Sequence, residues 1–153
     1  MLDGGACTVG VESTIVGFDG ARAVLLRAGG IDREALEDAL GAPMMQNAVS
    51  AITAPGQLAS HYAPRASLRL NANTAQPNEI LIGFGPDSAD ADLTLSASGD
   101  LAEAAMRLFA VLHTADQSGR PIAVSPVPAH GLGAAINDRL RRAATPRAPS
   151  ESE

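Results

Sequence analysis

From residue 66 to residue 144, short aliphatic runs alternate with stretches of helical periodicity, and that alternation restricts the fold more than any other feature of the chain. SLRLN, EILIGFG and DLTLS are strand-like runs separated by polar or Gly, Pro and Asn segments. Residues 100–113 then set Leu101, Ala105, Leu108 and Leu112 at helical spacing, with Asp100 and Glu103 as a capping pair and an acidic first turn. PIAVSPVP reads as a buried strand ending in prolines. GLGAAINDRLRRAA reads as a second helix with Leu132, Ile136 and Leu140 on one face. Strands interleaved with helices argue for a small α/β domain with a mainly parallel sheet.

The first forty residues belong to something else. VESTIVGF and RAVLLRAG are two apolar runs joined by FDGAR, the signal of a hairpin turn. Asp32 is placed to cap a short helix over residues 33–40, with Ile31 and Leu36 spaced as a hydrophobic staple and Gly41 as its stop. A two-stranded hairpin is marginal unless it packs on more structure, so this stretch is expected to be the end of a domain that begins elsewhere. Between residues 42 and 65 periodicity vanishes, and Pro43, Pro55, Gly56 and Pro64 break the backbone. The expected organisation is a terminal remnant over 1–41, a linker over 42–65, an α/β domain over 66–146 and a disordered polar tail over 147–153.

Charge and composition exclude several classes of function. With a net charge of -6 and 3% aromatic residues, the chain lacks both the basic patch and the stacking rings of a nucleic-acid binder. The basic run Arg139, Arg141 and Arg142 reads as a solvated helix face complementing the helix dipole. Cys7 is the only cysteine, which rules out an internal disulfide and a multi-cysteine metal site. MLDGGACTVG lacks the character of a signal peptide and no run is long and apolar enough to cross a bilayer, so the expected compartment is the cytoplasm.

No phosphate-binding glycine loop, dinucleotide fingerprint, helical metal-binding pair or nucleophile elbow is present. Of the three histidines, His113 and His130 read as surface or capping residues, and His61 has more notable neighbours. It sits in APGQLASHYAP beside Tyr62, in a loop stiffened by two prolines and a glycine, which suits either a functional loop or a rigid spacer. In GVESTIV, Ser13 and Thr14 place hydroxyls in an apolar strand, where a ligand or the sheet can satisfy them. Arg27 can grip a phosphate with two donors or pair with an acid such as Glu12.

Taken in order, DGG, GVESTIV, LLRAGGI, APGQLASHYAPRASLRL and GLGAAINDRLRRAA closely resemble the two-domain threonylcarbamoyl-AMP synthases over residues 3 to about 147. In that family a YrdC-type catalytic α/β domain is followed by a linker and a small Rossmann-like C-terminal domain. The resemblance implies synthesis of threonylcarbamoyl-AMP from L-threonine, bicarbonate and ATP, with release of pyrophosphate and the help of magnesium, for tRNA modification. It implies that Ser13 contacts threonine, that Arg27 contacts ATP phosphate, that Tyr62 reaches the nucleotide from the linker and that His61 orients that loop. The linker would then act as a lid that keeps water from a hydrolysable product. The family's basic phosphate-binding segment precedes the matched stretch, and this chain has no lysine. A fragment inactive without an N-terminal catalytic half is therefore expected, with no direct contact to tRNA and none to membrane. The alternative is a free-standing nucleotide- or partner-binding regulatory module of the same pathway.

Overall fold

The computed structural model describes residues 8–46 and 64–145. Strands β1 (Ile15–Asp19) and β2 (Arg22–Arg27) form the expected antiparallel hairpin, with Gly20 in the turn at φ 59°. Helix α1 (Arg33–Leu40) follows as expected. The Asp32 side chain accepts from the Ala35 amide at 2.8 Å, and Gly41 ends the helix in the left-handed region at φ 65°. Ile31, placed to staple onto Leu36, is 57% exposed. No residue of α1 is buried.

The beginning of the stretch expected as linker is not irregular. Arg33 and Glu37 pair across one helical turn, Glu37 accepts from the Met44 amide at 2.8 Å, and Arg33 donates to the Met44 carbonyl. The chain is thereby steered into β3 (Met45–Gln46), which pairs parallel with β2. The Met44 amide and then Arg33 hold the Glu37 carboxyl below the usual carboxylate range.

A second sheet holds β4 (Leu68–Arg69), β5 (Ile80–Phe84), β6 (Leu93–Ser96) and β7 (Ile122–Val124) in the order β4-β7-β5-β6, every pair parallel. The mixed α/β class with a parallel sheet is thus as the alternation requires. Helices α2 (Leu101–Gln117) and α3 (Gly133–Ala144) share one core with this sheet, and α2 runs one turn beyond its expected end. Ile80, Ile82, Ile122 and Val124 meet Leu108, Leu112, Ile136 and Leu140 there. Each such side chain, fully buried, contributes about 1.5–3 kcal/mol. Strand period two turns Leu81 and Ala123 the other way, where they pack with Ala72 and Ala91. Both central strands are therefore apolar on every residue, as buried parallel strands must be.

The capping pair of α2 works through an intermediary. Asp100 accepts from the Glu103 amide at 2.8 Å, but the Glu103 carboxylate takes the Ser96 hydroxyl at 2.6 Å, and Ser96 in turn accepts from the Asp100 amide at 2.9 Å. Ser96 first, and then Arg107, keep the Glu103 carboxyl below its ordinary value. At the far end of α2, Asp116 accepts from the Arg65 and Ala66 amides at 2.8 and 2.9 Å, fixing where the chain enters the second sheet. Among the described residues, no helix is long and apolar enough to cross a membrane.

Candidate functional site

The two sheets meet through a segment that the sequence assigns to the first. Gly10, at φ 78°, lies against α2 so closely that a Cβ there would be 2.1 Å from the Ala105 carbonyl oxygen, so only glycine lets the chain cross. Val11 packs onto the core of the second sheet. Glu12 pairs at 3.4 Å with Arg139, which is 4% exposed and lies 4.6 Å over the Phe109 ring. The expected solvated basic face is thus corrected. Arg139 follows Ile136 by three residues and precedes Leu140, so helical spacing turns it inward, while Arg141 stays exposed.

This anchoring holds the strand start where Ser13 lies. Ser13 and Thr14 stand just before β1 rather than inside it, where the register shifts between Ile15 and Val16. Ile15 pairs with Arg27, so Arg27 reaches back and donates to the Ser13 carbonyl from Nε and Nη2 at 3.1 and 2.9 Å, and from Nη2 to the Ser13 hydroxyl at 3.1 Å. The acid considered for Arg27, Glu12, forms its ion pair with Arg139 instead. Thr14 donates to the Ile31 carbonyl at 2.6 Å and accepts from the Ile31 amide at 3.0 Å. The Gly30 amide donates to the Glu12 carbonyl at 2.9 Å. Gly29 sits where a Cβ would come within 2.3 Å of that same carbonyl oxygen, which is why the chain needs glycine after Arg27.

Beside Arg27 a cleft of about 600 Å³ opens between β2 and the second sheet. Leu70 and Asn71 line it just past the end of β4, Ser125 and Val127 just past the end of β7, and Asn137, Asp138, Arg141 and Arg142 from α3. Asn137 donates to the carbonyls of Val127, Pro128 and Gly133 at 2.9, 3.2 and 2.9 Å, pinning the β7–α3 loop to its helix. Asp138 accepts from Arg142 and lies 4.0 Å from Arg141. The polar residues of AINDR therefore have distinct tasks: one shapes the cleft, one orders its cations, and one joins the two sheets.

Of the residues singled out in the sequence, Ser13 and Arg27 are brought together, and Arg27 faces the cleft. His61 and Tyr62 lie outside the described residues. His113 meets Gln117 on the exposed side of α2, and His130 is exposed ahead of α3, neither of them lining the cleft. Asn137 and the Glu12–Arg139 pair were missed. A charge spaced onto the apolar face of a helix was the signal for Arg139, since a buried guanidinium requires a partner.

Comparison with known proteins gives a consistent picture. A family model described as the threonylcarbamoyl-AMP synthase C-terminal domain matches residues 31–145. The threonylcarbamoyl-AMP synthase of Pyrococcus abyssi is 30% identical over 164 residues and that of Bacillus subtilis 28% over 166, each covering 94% of this chain and 48% of the relative. The crystal structure of P. abyssi Sua5 complexed with L-threonine superposes with a TM-score of 0.75 at 30% identity, covering 93% of this chain and 48% of that one. A variant of the same protein, with a consecutive histidine and tyrosine both replaced by alanine, superposes with a TM-score of 0.73 at 28% identity. The chain spans about half the length of the curated relatives it matches.

Proposed function

Because the chain belongs to the threonylcarbamoyl-AMP synthase C-terminal domain family, we propose that it is the C-terminal portion of an L-threonylcarbamoyladenylate synthase, a nucleotidyltransferase serving tRNA threonylcarbamoyladenosine formation. In that reaction the threonine amine captures bicarbonate carbon as a carbamate with loss of water. A carbamate oxygen then attacks the α-phosphorus of ATP, and the bond to the β-phosphate oxygen breaks to release pyrophosphate. The site must hold a carboxylate and offset the charge of a triphosphate as that bond breaks.

The observation that carries the reading is that Arg27, which lines the cleft, also holds the Ser13 hydroxyl. There Arg27 would meet ATP phosphate and the Ser13 hydroxyl the threonine substrate; the P. abyssi structure holds L-threonine. We assign Tyr62 to the nucleotide and His61 to orienting its loop. In support, the chain has one tyrosine, it follows His61, and the variant relative was altered at a pair of the same residue types. Magnesium belongs to the reading as a companion of the triphosphate. Among the described residues no group of three or more His, Cys, Asp or Glu is placed to hold a metal.

The division into a catalytic remnant over 1–41, a linker over 42–65 and an accessory domain over 66–146 is part of the proposal, as is the cytoplasm as its compartment. So is a requirement, for turnover, of the part of the relatives' length that this chain does not match. The alternative, a nucleotide- or partner-binding module, draws support from the core that β4–β7, α2 and α3 build largely among themselves.

The test is pyrophosphate release from ATP, L-threonine, bicarbonate and magnesium, by this chain and by a full-length relative. The relative should turn over and this chain should not. Substitutions equivalent to Arg27→Ala and Tyr62→Phe should sharply lower the relative's rate with its fold intact; wild-type rates in both would end the site assignment.

A further inference from the structure

We infer that α3 supplies the second wall of a phosphate-chain site, with Arg141 meeting the terminal phosphates of ATP or the pyrophosphate that leaves. The inference rests on the reading above, since Arg27 forms the opposite wall. The position, size, charge and lining of the cleft support it.

The cleft lies at the carboxyl ends of β4 and β7, adjacent parallel strands, which is where open α/β sheets hold their ligands. Its volume, about 600 Å³, is that of a small-molecule site. Its charge opposes that of the chain: Arg27, Arg141 and Arg142 line it against the single acid Asp138, on a protein whose net charge is -6. Finally, Asp138 is divided unequally. Arg142 takes it in direct hydrogen-bond contact, whereas Arg141 stands 4.0 Å away with its side chain 67% exposed, so it can turn to an anion at little expense to the fold. Asn71 and the buried Ser125 line the same space and carry neutral hydrogen-bond donors. The loop that positions Ser125 and Val127 is pinned by Asn137, so this wall is built before any ligand arrives.

Titration calorimetry of the purified 153-residue chain with sodium pyrophosphate tests this directly. One saturable site is expected, with affinity about tenfold weaker in Arg141→Ala, the loss of one charge-assisted contact at a half-open site. Arg141→Lys should lie between the two. Arg22→Ala removes the same charge from the start of β2, away from the cleft, and should change the affinity less than about twofold. Equal affinity in Arg141→Ala and the wild type overturns the inference, as does the absence of saturable heat up to roughly 10 mM pyrophosphate. Arg141 is exposed, so its variants are expected to melt like the wild type, and the melting curve checks it. Because no turnover is needed, pyrophosphate binding with no threonine-dependent activity in the full-length relative would retain this site and remove the synthase reading instead.

Discussion

Replacing Glu12 by Gln, Arg139 by Met, and both together measures how strongly the two sheets are joined. At 3.4 Å the gross attraction of this pair is about 5 kcal/mol for an effective dielectric near 20. Desolvation offsets much of it, and the Glu12 side chain is 35% exposed, so the coupling belongs between an exposed pair at roughly 0.2–1 kcal/mol and a buried one at roughly 3–5. We expect about 1.5 kcal/mol from the double-mutant cycle. The single variants should be unequal. Glu12→Gln leaves a 4% exposed guanidinium without its carboxylate, though still over the Phe109 ring, and should cost about 2–3 kcal/mol. Arg139→Met refills most of the volume and lets Glu12 turn to water, for about 1–2 kcal/mol. The chain has no tryptophan, so urea unfolding is followed by far-ultraviolet circular dichroism. Amide exchange at residues 12–14 should quicken in both singles, because Glu12 leads directly into the segment that Arg27 grips. A coupling below about 0.5 kcal/mol, or Arg139→Met costing more than Glu12→Gln, would refute the reasoning.

Asn137→Ala removes the side chain that holds three loop carbonyls, and should lower stability by about 2 kcal/mol while raising exchange in residues 126–133; unchanged exchange there would separate the loop from α3. Acid sensitivity should centre on Glu79, which Arg69 and then the Gln76 amide hold at about 2, below its ordinary 4.5. A depressed carboxylate stabilises the fold above its unfolded value and loses that contribution as pH falls through the folded one, so the melting temperature should drop between about pH 5 and about pH 2. Glu79→Gln should flatten that limb, and an identical profile in the variant would place the sensitivity elsewhere.

Much of the secondary structure was legible because its causes are local. Asp32 and Asp100 cap helices within three residues of themselves, Gly20 turns a hairpin between its own strands, and Gly41 stops α1 with its own backbone. What local pattern leaves open has its origin at longer range. Met45–Gln46 looks like linker because its strand character comes from β2, about twenty residues earlier. The capping pair of Asp100 and Glu103 is legible, but Ser96, which links the Glu103 carboxylate to the Asp100 amide, belongs to the preceding strand. The site divides in the same way. Ser13 and Arg27 stood out as polar residues flanking apolar runs. The cleft beside them did not, because it is assembled from residues between 25 and 142.

By itself the sequence determined the α/β class, the extent of each helix to within a turn and the motifs that carry the family resemblance, since propensity, capping and periodicity act over a few residues. Only the tertiary structure decided which arginines are buried, what Glu12 pairs with and which loops share a wall with Arg27. Those outcomes depend on how the chain crosses itself, as at Gly10 over α2 and Gly29 over Glu12, and a crossing brings together groups whose spacing in sequence carries no trace of their contact.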